Sequence, residues 1–274
     1  MNAEAESEFI EEIIANPQDQ SARLIFADWL EEQGDPRGEF IRIQCELSAP
    51  SDNLHRREEL DNRQEQLRRV HEHEWIQPLH GRVSGWTFHC GFVESVEMTV
   101  EQFLKYEAEI RRRIPLRYLT LQGGRSRYAE IMKPEVFQKI ESLRCESVQL
   151  TRRDTEAIAS IPLLRLHTLN LSRCRMTDDV FAPIVALQTS RLRDMDLSLN
   201  HLRNQSTQGL VESSVFTNLE RLILYGNEIR TTGARALAQT VGLQKLRFLD
   251  IGGNPIGDQG REAIARRFNS AAGL

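Results

Sequence analysis

Leu219-x-x-Leu222-x-Leu224-x-x-Asn227 is the stretch that decides the fold, because the chain spells it again on either side. Leu192-x-x-Met195-x-Leu197-x-x-Asn200 precedes it and Leu246-x-x-Leu249-x-Ile251-x-x-Asn254 follows it. An earlier copy, Leu166-x-x-Leu169-x-Leu171, has Cys174 where the others have Asn. Apolar residues two apart place one face of a short strand against a core. A single such strand cannot bury that face alone, so stacked parallel copies must do it together. After the Asn the pattern turns helical: Ile229, Gly233, Leu237 and Ala238 in one copy, Ile256, Gly260, Ile264 and Ala265 in the next, offset by 27 residues.

The phrase resembles the leucine-rich repeat, and the long helix-containing period resembles its ribonuclease-inhibitor type. The resemblance implies an α/β solenoid, a parallel sheet lined by helices. The Asn would bond backbone groups where the chain leaves the strand, and Cys is the other residue commonly tolerated there. Weaker copies extend the array upstream. Leu116-x-x-Leu119-x-Leu121 fits with Gly124 in the Asn slot, Cys145-x-x-Val148-x-Leu150 fits with Arg153, and Val93-x-x-Val96-x-Met98 could form a first strand. About seven strands are expected over residues 85–274, the first three degenerate.

The N-terminal segment reads as a separate helical module over residues 1–48. Phe9, Ile10, Ile13 and Ile14 make a stripe that stops at Asn16-Pro17, a turn dipeptide. A second helix is expected from about Ser21 to Gln33, burying Leu24, Ile25, Trp29 and Leu30, and a third carries Phe40, Ile41, Gln44 and Leu47. The run Ala27-Asp28-Trp29-Leu30-Glu31-Glu32, continued by Gly34-Asp35-Pro36-Arg37-Gly38-Glu39-Phe40, resembles the bacterial repeat-companion domain. That resemblance implies a module placed ahead of repeats, without a defined activity. Trp86 to Val96 also resembles the strand that opens the repeats in such proteins, with Cys90 where a basic residue is more usual. Residues 49–84 are expected to form a linking and capping helix, with Leu54, Leu60, Leu67, Val70 and Trp75 as its apolar stripe.

Charge is unevenly divided. Residues 1–40 carry a net −9 while the whole chain carries −5, so the remainder is net positive. Arg111 to Arg127 holds six arginines and no acid. No apolar run approaches the ~18 residues of a membrane span. Four cysteines lie far apart with no CxxC pair, and the acidic N-terminus lacks the blocks of a signal peptide, so a reduced, cytoplasmic protein is expected.

Candidate chemistry is sparse. His71-Glu72-His73-Glu74 has the residue types of a metal site, but positions i and i+2 of a helix face different ways, so a solvated helix surface is expected. His89 and Cys90 are strand neighbours whose side chains diverge, and a structural Cys is expected there. Asp28, Asp35 and Glu39 have capping and loop roles open to them. Gly123-Gly124 and Gly252-Gly253 lack a phosphate-loop context. No catalytic residue, metal or cofactor is expected. The expected function is a non-enzymatic, monomeric scaffold that binds an unidentified protein on the concave sheet face, through Asp194, Asp196, Arg221, Ile223, Tyr225, Phe248 and Asp250. Exposed Tyr, Phe and Arg are the usual anchors of interfaces. Nucleic-acid binding through Arg111–Arg127, disfavoured by the acidic balance, and a regulatory or effector protein of unrecognised activity are the alternatives.

Overall fold

The structure, a computed structural model, describes residues 3–123, 127–268 and 272–273. The Asn-slot residue Gly124 and the arginine Arg125 of the basic stretch lie outside them. The chain divides into two compact units, Met1–Met98 with Lys105–Arg117, and Thr99–Leu104 with Tyr118–Leu274. The helix α5 (Val100–Arg113) contributes to both.

In the first unit, α1 (Ala3–Ala15), α2 (Gln20–Glu32), α3 (Arg37–Ser48) and α4 (Leu54–Trp75) precede a hairpin of β1 (Gly85–His89) and β2 (Phe92–Thr99). Asp19 caps α2 by accepting from the Ser21 N–H at 2.8 Å. The core of this unit joins Ile13, Phe26, Ala27, Leu30, Ile41, Cys45 and Phe92. The buried stripe of α2 is therefore Arg23, Phe26, Ala27 and Leu30, one step from the expected one; Trp29 and Leu24 are only partly buried and Ile25 is exposed. The reason is Arg23: a charged residue occupies the first apolar slot, which hides the true face from a hydrophobicity reading. On α4, Leu60 and Leu67 are buried as expected, but Leu54 and Val70 are exposed. The inward stripe continues instead through polar Gln64, which accepts from Gln44 at 3.2 Å, and His71, which stacks on Trp75. Phe40 sits in an aromatic group with Trp75 and Phe88.

Burying Arg23 requires partners. Arg23 and Glu94 are each 1% exposed and paired with one another, and Arg117 reaches the other Glu94 oxygen at 2.7 Å. Arg23 also donates to the carbonyls of Pro17, His89 and Cys90, so the charge is fully enclosed by acceptors. The hairpin turn is Cys90-Gly91, both with positive φ of 45° and 81°, as a two-residue turn demands. A Cβ on Gly91 would lie 2.2 Å from Ile41 Cγ1, so this close approach to α3 needs glycine.

The second unit carries a parallel sheet: β3 (Tyr118–Gln122), β4 (Ser142–Glu146), β5 (Thr168–Asn170), β6 (Asp194–Asp196), β7 (Arg221–Ile223), β8 (Phe248–Asp250) and β9 (Ala272–Gly273). Short helices α6 (Tyr128–Ile131), α7 (Pro134–Phe137), α8 (Arg152–Ser160) and α9 (Asp178–Phe181) link its first strands. The later connections are α10 (Asn204–Glu212), α11 (Thr231–Gln239) and α12 (Gly257–Phe268). Leu119, Leu143, Leu169, Met195, Leu222 and Leu249 are register partners along one buried row.

The expected strand at 148–150 is corrected to 142–146: the true phrase is Ile140-x-x-Leu143-x-Cys145, with Val148 in the Asn slot. Residues 148–151 instead lead into α8, where Thr151 and Asp154 form a capping box. With this register the final apolar positions are 121, 145, 171, 197, 224 and 251, much more even than the sequence suggested. The backbone confirms it independently. Two residues past each of these positions stands one left-handed residue: Gly123, Ser147, Arg173, Leu199, Gly226 and Gly253. In the repeats from β4 onward the slot residue that follows it is buried.

The slot residues form a buried ladder. Asn200 accepts from the Cys174 and Met176 N–H groups, each at 3.0 Å, and donates to the carbonyls of Leu171 and Leu197. Asn227 accepts from Leu202 N–H at 3.0 Å and donates to Leu197 and Leu224. Asn254 repeats this with Ile229, Leu224 and Ile251. Cys174 performs the same backward donation, its thiol reaching the Cys145 carbonyl at 2.9 Å. Burial pushes that thiol up to about 12, so it remains a protonated donor.

Candidate functional site

The outward residues of the sheet fall into rows fixed by strand register. One row runs Ser142, Thr168, Asp194, Arg221 and Phe248; the next runs Arg144, Asn170, Asp196, Ile223 and Asp250. The structure thus brings together Asp194, Arg221 and Phe248 on neighbouring strands, and Asp196, Ile223 and Asp250 beside them. The Arg221 guanidinium carbon lies 4.9 Å from the Phe248 ring centroid, a cation–π stack between exposed groups.

Tyr225 is 47% exposed and Phe248 37%. Tyr225 is seated as well as exposed. Its ring lies over the next repeat, where a Cβ on Gly252 or Gly253 would come 3.3 or 3.4 Å from ring carbons. The two glycines therefore act as the floor under an aromatic ring. Asp196 and Asp250 are partly occupied locally, each accepting the backbone N–H two residues on, from Ser198 at 2.9 Å and Gly252 at 3.0 Å. Asn170 does the same for Ser172, and Ile223 is the one position of these four without such a side chain. Asp196 and Asp250 each spend Oδ1 on their own strand end, and Asp196 also accepts from Asn170 Nδ2 through its other oxygen at 3.4 Å.

A cavity of about 530 Å³ opens on this face, and its charged lining is Arg144, Glu146, Asp194, Asp196 and Arg221. Arg144 and Glu146, paired at 3.0 Å, escape the sequence reading because the phrase it assigns to this strand lies five residues too late. The clue was available: Ile140, Leu143 and Cys145 fit the phrase once Val is allowed in the Asn slot.

The other candidates have structural occupations. Glu72 accepts from Trp86 Nε1 at 2.7 Å and from Arg68 at 2.8 Å, while His71 stacks on Trp75. Among the described residues no group of three or more His, Cys, Asp or Glu could hold a metal ion. Asp28 pairs with Arg42, Asp35 accepts the Arg37 N–H, and Glu39 is gripped by both ends of Arg63 at 2.7 Å. The Arg63 grip lowers the Glu39 pKa. In the basic stretch Arg111 pairs with Glu107, Arg113 with Glu109, Arg117 with Glu94 and Arg127 with Glu130, so its charge is largely answered within the fold.

Cys90 is not fully buried, as the expected structural cysteine would be. It is half-buried beside Cys45, not His89, and that neighbour, with Ser48 and Arg23, brings its thiol down to about 6. A separation of 45 positions in sequence concealed the pair.

Residues 217–238 and 242–265 match the family model described as leucine-rich repeat. The repeats are leucine-rich repeats. The matched segments are those containing β7 and β8, where the phrase is most regular, and the register carries the same unit back to β3. Leucine-rich repeats are generally protein-interaction modules and typically non-enzymatic. A solved structure from Bacteroides fragilis is similar at 16% identity and a TM-score of 0.43, over 60% of this chain and 49% of that one. This chain thus spans about half the length of that protein. No curated protein matches the chain. Among the described residues no helix is long and apolar enough to cross a membrane.

Proposed function

We propose that the leucine-rich repeats bind a protein partner on the outward, concave face of the sheet, centred on Arg221, Tyr225 and Phe248. The observation that carries this reading is the exposed Arg221–Phe248 stack beside a Tyr225 ring seated on Gly252-Gly253. Large rings held in place before binding lose little freedom on binding, which favours them as anchors. Asp194, Asp196 and Asp250 surround the anchors and select a partner with a basic patch. Ile223 supplies an apolar floor between them. We further read residues 1–48 as the companion module, residues 49–84 as the linking helix and residues 85–274 as the solenoid. The free thiols Cys45, Cys90, Cys145 and Cys174 suit a reducing, cytoplasmic compartment.

The test is site-specific photo-crosslinking in cells that make the protein, with the crosslinker at 225 or 248 and, as control, at the exposed helix position 235. A partner captured from the first two sites and absent from the third is expected. The double substitution Tyr225→Ala/Phe248→Ala should then lose that partner with little change in melting temperature. Capture from 235 alone, or full binding by the double variant, refutes the concave-face site.

A further inference from the structure

The first unit holds a cavity of about 320 Å³ that the sheet-face reading leaves unused. Its uncharged wall is largely apolar, with the rings of Trp75, Phe88 and Phe92 set among aliphatic residues such as Ile10, Leu79 and Ile114. Its charged lining is three arginines, Arg37, Arg112 and Arg113, against the single carboxylate of Glu6. An apolar hollow with a few convergent charges of one sign is the usual form of a small-ligand site.

Arg37 is the informative residue. Its guanidinium carbon lies 5.0 Å from the Phe92 ring centroid, and its Nε is buried without a hydrogen-bond partner. Arg23, stacked at 5.1 Å on the same ring, has every direction answered by Pro17, His89, Cys90 and Glu94. Buried donors are nearly always partnered, so the unpaired Nε shows that the fold leaves part of the hydrogen-bonding capacity of this cavity-lining guanidinium unused. The nearby acids do not fill this role: Asp35 accepts the Arg37 backbone N–H at 2.8 Å, and burial lowers the Arg37 pKa despite the opposing charges of Glu6 and Asp35. Arg112 donates its Nε to the Ala108 carbonyl and Arg113 reaches Glu109 at 3.3 Å, so both are anchored by their own helix.

We propose that this cavity binds a small organic carboxylate, its anion held by Arg37 with help from Arg112 and Arg113, and its flat apolar body laid between Trp75, Phe88 and Ile10. A guanidinium fork matches a carboxylate in geometry and charge. The space equals roughly ten water volumes, which suits one aromatic ring with a short acidic arm. Glu6, on α1, acts by charge on Arg37 and would compete with an incoming anion for it.

The experiment is calorimetric titration of the full chain with 3-phenylpropanoate, its neutral counterpart 3-phenylpropanol, N-acetylphenylalanine and inorganic phosphate. Saturable binding of 3-phenylpropanoate is expected, at least tenfold tighter than the alcohol or phosphate. N-acetylphenylalanine binding as tightly supports the site and makes a peptide carboxyl terminus its source; weaker binding supports the free acid. Arg37→Met should lose at least tenfold in affinity, Arg112→Ala/Arg113→Ala severalfold, and Glu6→Gln should gain severalfold. The gain in Glu6→Gln keeps the test decisive if Arg37→Met fails to fold, which its circular dichroism would reveal. The proposal is overturned if no acid binds at millimolar concentration. Equal binding of the alcohol or of phosphate, or an unchanged affinity in Glu6→Gln, overturns it too.

Discussion

Replacing Asn227 by alanine tests the slot ladder most sharply, because the loss is countable. The side chain accepts from the Leu202 N–H at 3.0 Å and donates to the Leu197 and Leu224 carbonyls at 3.0 and 2.9 Å. The carbonyls are not left bare, since Leu197 keeps Asn200 and Leu224 keeps Asn254 as donors. The lost bonds to those two oxygens cost about 0.5–1.5 kcal/mol each. The Leu202 N–H loses this acceptor inside a site where Asn227 is only 5% exposed, and an orphaned buried donor costs about 1–3 kcal/mol. The total is about 2–6 kcal/mol, with a central expectation near 4. At about 2–4 °C per kcal/mol for a domain of this size, the melting temperature should fall by about 8–16 °C. Asn227→Cys should cost about half as much, because Cys174 already makes the backward donation at that slot. Urea unfolding followed by circular dichroism, in reductant, measures both. A loss below about 1 kcal/mol for the alanine variant, or a cysteine variant no better than alanine, would refute the ladder argument.

Glu94→Ala should destabilise the first unit by about 3–5 kcal/mol, because Arg23 would keep its burial and lose its counter-charge; chemical denaturation reads this out. Gly226→Ala should cost about 1–2 kcal/mol or more in the same assay, since φ is +67° and the new Cβ would lie 2.7 Å from Leu199 Cδ2. Cys90 should alkylate before Cys45, Cys145 and Cys174 with iodoacetamide at pH 7, because a thiol brought down to about 6 is mostly thiolate there. Its labelling rate should fall as pH drops through 6; mass spectrometry of time points shows whether another cysteine reacts first.

The regular repeats were legible because every rule agreed over residues 192–256: strand alternation, slot Asn and helix period all recur at one spacing. Legibility failed where a residue type contradicted its position. Arg23 occupies a core slot and displaced the predicted face of α2 by one residue. Val148 in an Asn slot let a false strand be drawn at 148–150, and the error hid Arg144 and Glu146. The candidate site was readable in its rows, since alternation tells which side chains face outward. The seating of Tyr225 on Gly252-Gly253 and the local use of the Asp196 and Asp250 carboxylates depend on contacts between repeats, which spacing within one repeat does not encode. The Cys45–Cys90 neighbourhood and the orphan Arg37 are likewise products of tertiary packing.

Each slot side chain finishes the backbone of the repeat before it. Asn254 completes the N–H of Ile229, and Asn227 that of Leu202. A repeat is thus complete only when its successor is present. Internal duplication of a 27-residue segment would meet matching donors and acceptors at both seams, so lengthening the array asks for no new chemistry. Truncation behaves differently: cutting before Asn254 strips the acceptor from a repeat whose own sequence is intact. The array is therefore easy to grow from the middle and costly to shorten from its C-terminal end.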